Sequence, residues 1–272
     1  MRINTNVMAL NAQNMLAGNQ SAVQKSINKL SSGLRINSAA DDAAGLAISE
    51  KMRSQIRGLN QAESNAQDGI SLIQTAEGAL QQTTDVLQRM RELIIKAENS
   101  GVLDERDVDA IDVEIDTLKV EIDRIAQSTS FNGTTLLKGD YKDTGLAFKI
   151  GANTLDRDTL SVTIGDMQTA ALGVNSIDSS AASDALKSID AAIVNVAEQR
   201  ARLGAVQNRM EYAIESLSTT SENLTSAESR IRDVDMADEM VTYTKNNILQ
   251  QSAMAMLAQV NQQPQNILSL LQ

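Results

Sequence analysis

The stretch from Leu186 to Ile231, "LKSIDAAIVNVAEQRARLGAVQNRMEYAIESLSTTSENLTSAESRI", decides the fold class. Stepping through it by threes and fours meets Leu186, Ile189, Ile193, Val196, Arg200, Leu203, Gln207, Met210, Ile214, Leu217, Ser221, Leu224, Glu228 and Ile231, and ten of those fourteen are apolar. A seam of that period with no proline inside it predicts one helix of about 65 Å, at 1.5 Å per residue, lying on partners in coiled-coil fashion.

Working outward, the N-terminal half supplies partners. One seam runs Ala66, Ile70, Ile73, Ala76, Leu80, Thr83, Leu87, Met90, Ile94 and Ala97, and another runs Val108, Ile111, Ile115, Leu118, Ile122 and Ile125. Between them "NSGVLDERD" breaks the pattern: Gly101 can close the first helix, and Asp104 is an N-cap candidate with Asp107 three residues on. Residues from about 60 to 130 therefore read as an antiparallel hairpin of two long helices. From 131 to 182 the texture changes, with Asn-Gly, Gly-Asp and Gly-Ala breaks around the alternating stretches "LAFKI" and "LSVTI". One or two β-hairpins lying on the helical bundle are expected there. The fold class is mainly α: a long antiparallel helical rod or coiled-coil bundle with a small β-hairpin region and paired terminal helices.

Composition agrees. Of 272 residues 42% are apolar but only 2% aromatic, with one proline (Pro264) and no Trp, Cys or His. Such a chain fills its interior with aliphatic residues, Met and Ala, which suits helix-on-helix contact. The net charge of −11 argues against nucleic acid, whose binding is driven by clustered Lys and Arg. No apolar run reaches the roughly 20 residues of a spanning helix, and the polar Asn4, Thr5 and Asn6 spoil a cleaved-signal reading. An amphipathic surface helix at either end would favour a Lys-rich face, yet Lys245 is the sole basic residue from 236 to 272. No membrane and no nucleic-acid partner are expected.

The missing residue types also limit the chemistry. Without His or Cys there is no Ser-His-Asp triad, cysteine nucleophile, HExxH zinc site or thiolate cluster, and no disulfide. No glycine-rich phosphate loop follows a predicted strand. The acid-rich "DERDVDAIDVEID" lacks the central glycine of a calcium loop and sits within a helical period, so Asp107, Asp109, Asp112 and Asp116 read as a solvated face. The second acid-rich run is "RDVDMADEM". Met236, Met240, Met254 and Met256 recur at helical spacing and read as core or interface residues. No enzyme activity, metal or cofactor is expected.

Both ends look built to be buried. Ile3, Val7 and Leu10 share a helical face, and Ile267, Leu268, Leu270 and Leu271 lie within the last six residues. Burying those four yields about 6 to 12 kcal/mol, at about 1.5 to 3 each, against about 12 to 24 kcal/mol of backbone entropy for residues 261 to 272. On that balance the tail is expected to order only on assembly.

"LSSGLRINSAADDAAGLAISEKMRSQIRGL" (Leu30 to Leu59), "DGISLIQTAEGAL", "EIDRIAQSTSFNG", "ESRIRDVDMADEM" and "NNILQQSAMAMLAQVNQQPQNILSLLQ" strongly resemble bacterial flagellin in a minimal form, with no room for large variable outer domains between about 140 and 182. The resemblance implies a structural subunit that self-assembles into the flagellar filament. It implies a terminal domain of 1–40 and 233–272, whose paired helices line the filament channel, and a rod domain of 41–232. Subunit assembly would run through Ile3, Val7, Leu10, Met254, Leu257, Ile267, Leu268, Leu270 and Leu271. The implied partners are further copies of the chain, an export chaperone, and hook-associated and cap proteins; the implied location is outside the cell, reached unfolded through flagellar type III export. Arg89, Leu93 and Glu114 match positions that the vertebrate Toll-like receptor for flagellin reads in this family. A hook-filament junction protein is the alternative within the family. An inserted metalloprotease domain would need histidines, and a membrane-inserting translocator would need an extended apolar segment.

Overall fold

A computed structural model describes residues 6–99, 104–153, 158–178 and 182–270; the side chains of Glu105 and of residues 263–270 lie outside that description. The elements in chain order are α1 (Val7–Ser32), α2 (Ala43–Ala97), α3 (Glu105–Ser128), β1 (Ser130–Phe131), β2 (Thr134–Thr135), β3 (Leu146–Lys149), β4 (Thr159–Val162), α4 (Thr169–Leu172), α5 (Ala182–Arg232) and α6 (Met236–Leu270). The chain forms two compact units, Met1–Ile56 with Glu222–Gln272, and Arg57–Ser221. The mainly helical expectation holds, as do the paired terminal helices.

The second unit, 57–221, carries the large core. Ile73, Leu80, Leu87, Met90 and Ile94 of α2, Ile115 and Ile122 of α3, and Ile189, Val196, Leu203 and Met210 of α5 are all buried in one cluster. These are the seam residues of the sequence, now facing one another at three- and four-residue steps. Leu136, Leu137, Leu160, Val162 and Ile164 join that cluster, which places the strand region against the helices. Asp104 opens α3 as expected: its carbonyl accepts from the Asp107 and Val108 amides, and its own N–H donates to the Asp107 carboxylate at 3.3 Å, one half of a capping box. Gly101, the expected closure of α2, lies outside the described residues.

Of the one or two hairpins expected, two are present. β1 pairs antiparallel with β2 across Asn132-Gly133, whose φ values of 50° and 79° are the left-handed pair a tight hairpin turn requires. β3 pairs antiparallel with β4 in the register Phe148↔Leu160. Burial alternates along β4, with Leu160 and Val162 inward and Thr159 and Ser161 outward. The short α4 was not visible in the sequence. Its start is held from α3, where Asp123 accepts from both the Thr169 N–H and hydroxyl.

In the first unit α1 lies on α6. α1 ends at Gly33, whose φ of 72° lets its N–H turn back to the Lys29 carbonyl at 2.8 Å. Two antiparallel strand-like residues then join the α1–α2 connection to the α5–α6 junction: Arg35 N–H donates to the Arg232 carbonyl at 2.7 Å and Val234 N–H to the Gly33 carbonyl at 3.0 Å. The Arg35 side chain also donates to the Ile231 carbonyl, one of the acceptors orphaned at the end of α5. α2 starts at Ala43, earlier than the apolar seam indicated, because Asp42 caps it, accepting from Gly45 N–H at 2.9 Å. A Cβ at position 45 would run into Asp42 Oδ2 and sit 2.7 Å from Ile36 Cδ1, so a larger residue there would push on the capping carboxylate and on buried Ile36. Asp235 caps α6 through the Ala237 and Asp238 amides, which gives the acid-rich "RDVDMADEM" a backbone role.

The tail departs from expectation. The backbone of α6 is helical through Leu270, inside the stretch expected to wait for assembly. A tail that continues an existing helix gains one hydrogen bond for each residue fixed except Pro264 and needs no new nucleus, a contribution that the tail's apolar side chains alone do not supply.

Candidate subunit-assembly surface

The helix pair of the first unit leaves a large part of its apolar surface uncovered. Val7 is 60% exposed and Leu10 58%, and Met8, Met15, Ile248, Met254 and Met256 are also exposed. The order of these residues explains the pattern. Apolar and small residues recur around both helices rather than on one stripe, so mutual contact hides only part of each. Between the helices lies an open groove lined by Met8, Ala12, Met15, Leu249, Ala253 and Met256. Methionine and alanine dominate it, a soft lining that adapts to a partner surface.

Polar contacts set the two helices in register. Near one end Lys29 faces Glu239 at 3.9 Å, an ion pair partly shielded from water. Near the other, Asn6 Nδ2 donates to the Val260 carbonyl at 3.2 Å, while Asn6 Oδ1 accepts from Ala9 N–H and so caps α1. Almost the same number of residues separates the two contacts on either helix, as expected for an antiparallel pair without a slip. At the base of the unit a small polar network surrounds the fully buried Ser49, whose hydroxyl donates to Glu228 at 3.1 Å. Arg232 reaches the same hydroxyl and donates to Glu50 at 2.7 Å.

Of the residues expected to mediate assembly, Val7, Leu10 and Met254 are exposed and Leu257 is half-buried. Ile3 and Leu271 lie outside the described residues, as do the side chains of Ile267, Leu268 and Leu270. Sequence reasoning passed over Asn6, which is read there only as a polar residue; the signal available was an Asn directly before an apolar period.

In the second unit the receptor-matched residues divide. Arg89 and Glu114 form an ion pair across α2 and α3, with both Nε and Nη2 donating to Glu114 Oε1 at 3.0 and 2.8 Å. Arg89 Nη1 also reaches Glu92 at 3.3 Å. The hydrogen bonds that Arg89 donates to Glu114, then the Glu114 charge, hold the Arg89 guanidinium above its ordinary proton affinity. Leu93, four residues further along α2, is 3% exposed and belongs to the core cluster.

Among the described residues no three His, Cys, Asp or Glu stand close enough to hold a metal ion, and no helix is long and apolar enough to cross a membrane. Of the four aspartates expected on a solvated face of α3, Asp107, Asp109 and Asp116 are exposed and Asp112 is half-buried, and Asp116 forms an ion pair with Lys119 at 2.9 Å.

Comparison with known proteins agrees in both halves. The model of the bacterial flagellin N-terminal helical region matches residues 3–142, and that of the bacterial flagellin C-terminal helical region matches 186–271. A flagellin of Bacillus subtilis (strain 168) is 55% identical over 305 aligned residues, covering 100% of both chains. The flagellar filament 33 kDa core protein of Treponema phagedenis is 52% identical and a flagellin of Halalkalibacterium halodurans 51%, again over 100% of both chains. With two family models spanning its helical halves and relatives matched from end to end, the chain belongs to the bacterial flagellin family.

Proposed function

We infer that this protein is a structural subunit that self-assembles into the helical bacterial flagellar filament used for motility. The observation that carries the reading is the uncovered apolar surface of the α1–α6 pair, around Val7, Met8, Leu10, Met15 and Met256, joined to family membership. Water-exposed apolar surface on that scale finds its cover in further copies of the same surface, each side chain buried adding about 1.5 to 3 kcal/mol to association. Residues 1–40 and 233–272 form the terminal domain and line the channel; residues 41–232 form the surrounding rod domain. Ile3, Ile267, Leu268, Leu270 and Leu271 act in the same assembly surface as Val7, Leu10, Met254 and Leu257.

The finer partners follow. The chain passes unfolded through flagellar type III export to the cell exterior, held beforehand by an export chaperone, and it meets cap and hook-associated proteins at the filament ends. A chain with no cysteine carries no disulfide that could oppose passage as an unfolded thread. Its role is mechanical rather than enzymatic. No observation favours the hook-filament junction alternative. Arg89 and Glu114 present a paired charged surface to the vertebrate Toll-like receptor for flagellin, with Leu93 supporting α2 from beneath.

Electron microscopy of the purified chain after salt-induced polymerisation tests the main reading. Long tubes of uniform diameter are expected; closed small oligomers would rule it out.

A further inference from the structure

We propose that Asn6 and Pro264 act together as a register lock that fixes how α1 pairs with α6. In a helix the carbonyl of residue 260 takes its hydrogen bond from the N–H of residue 264. Position 264 is the chain's one proline, which has no N–H, and α6 runs through it to Leu270. The Val260 carbonyl is therefore the one acceptor in this part of α6 that the sequence deprives of its helical donor. Asn6 Nδ2 donates to that carbonyl from the start of α1, at 3.2 Å.

The same side chain cannot do this from another register. Its Oδ1 is committed to Ala9 N–H, which caps α1 and orients the amide so that its NH2 points to α6. Shifting α1 by one turn would carry Asn6 to a carbonyl that already has its helical donor and leave Val260 without one. A half-buried carbonyl without a donor is costly, so the missing N–H of Pro264 marks one position along α6 as the seat for Asn6. In that register Met8, Ala12 and Met15 line the same groove as Leu249, Ala253 and Met256. The lock thus sets the shape of the assembly surface, and in this use it rests on the filament reading.

The test is a double-mutant cycle on polymer formation by the full chain, read as the concentration of unassembled protein left in the supernatant after sedimentation at equilibrium. Asn6→Ser keeps a helix cap but cannot reach Val260 with a donor. In the Pro264 background it is expected to raise that concentration about fivefold, the worth of one intramolecular hydrogen bond. In the Pro264→Ala background, where the restored backbone N–H at position 264 serves Val260, the same change should move it less than twofold. Equal effects in both backgrounds, or none in either, would overturn the lock. Asn6→Asp decides the matter if Pro264→Ala does not assemble. A carboxylate is a good cap at a helix start, so a residue that only caps would lose nothing. The lock predicts a loss larger than that of Asn6→Ser, because a carboxylate oxygen then faces a carbonyl oxygen, and an Asn6→Asp chain that assembles like the parent would overturn it. Failure of the parent chain itself to polymerise would count against the filament reading instead.

Discussion

Asp123 on α3 binds Thr169 twice, accepting from its backbone N–H at 2.8 Å and from its hydroxyl at 2.9 to 3.0 Å, and Thr169 is buried beneath it. A carboxylate thereby anchors a segment that β propensity and helical period both fail to describe. Asp123→Ala strands two buried donors and should destabilise the second unit by about 1 to 3 kcal/mol in urea melts, with Asp123→Asn losing less because one amide oxygen still accepts.

The contrast between core and surface gives a second expectation. Leu80→Ala empties a fully buried site in α2 and should cost about 2 to 5 kcal/mol of stability. Leu10→Ala removes an exposed side chain and should change the melting of the unassembled chain by less than about 0.5 kcal/mol while weakening polymer formation. Calorimetry and sedimentation on the two variants separate these effects. Equal losses in both assays for Leu10→Ala would place it in the core of the single chain.

How much of this was legible in the sequence depends on the range of the contact. The helices α2, α3 and α5 follow from apolar period, and the β3–β4 hairpin follows from "LAFKI" and "LSVTI", because these signals repeat within a few residues. The apolar seam of α2 passes through Ile94 and leaves its neighbour Leu93 aside, yet both are buried, because α2 meets apolar partners on more than one side. The early start of α2 rests on a single cap, Asp42, before an alanine-rich turn with little period. The Arg35–Ile231 and Asn6–Val260 contacts join residues far apart in the chain, and no local pattern encodes them. The division of Arg89, Leu93 and Glu114 into an exposed pair and a core residue likewise needed α2 and α3 side by side.

Acid should loosen the α1–α2 connection selectively. Asp41 accepts from the Ser38 amide and hydroxyl and from the Asn37 amide, and the Ser38 amide is the main cause of a carboxyl held below its ordinary value. A group depressed in the folded state contributes stability above its unfolded value, and that contribution is lost as pH falls through the folded one. Amides of Asn37 and Ser38 should therefore gain exchange rate, relative to the rest of the first unit, only below the ordinary aspartate range. Asp41→Asn should remove that pH dependence; its persistence in the variant would assign it to another group.

Receptor activation offers a check on the charged pair. Arg89→Ala and Glu114→Ala each cut a water-exposed ion pair, which solvent screens, and should leave melting of the second unit nearly unchanged. Together they are expected to lower activation of the vertebrate Toll-like receptor for flagellin by unassembled chains at unchanged melting. Leu93→Ala should lower both, as a core change does. Activation by the double variant equal to that of the parent would remove these residues from the recognition surface.

The most direct test of assembly through the paired chain ends compares sedimentation of the full chain with that of a chain lacking residues 261 to 272. Under polymerising salt the full chain should pellet as long filaments, while the shortened chain should stay in the supernatant with the melting of its second unit unchanged. A shortened chain that pellets as filaments at the same concentration would contradict the account.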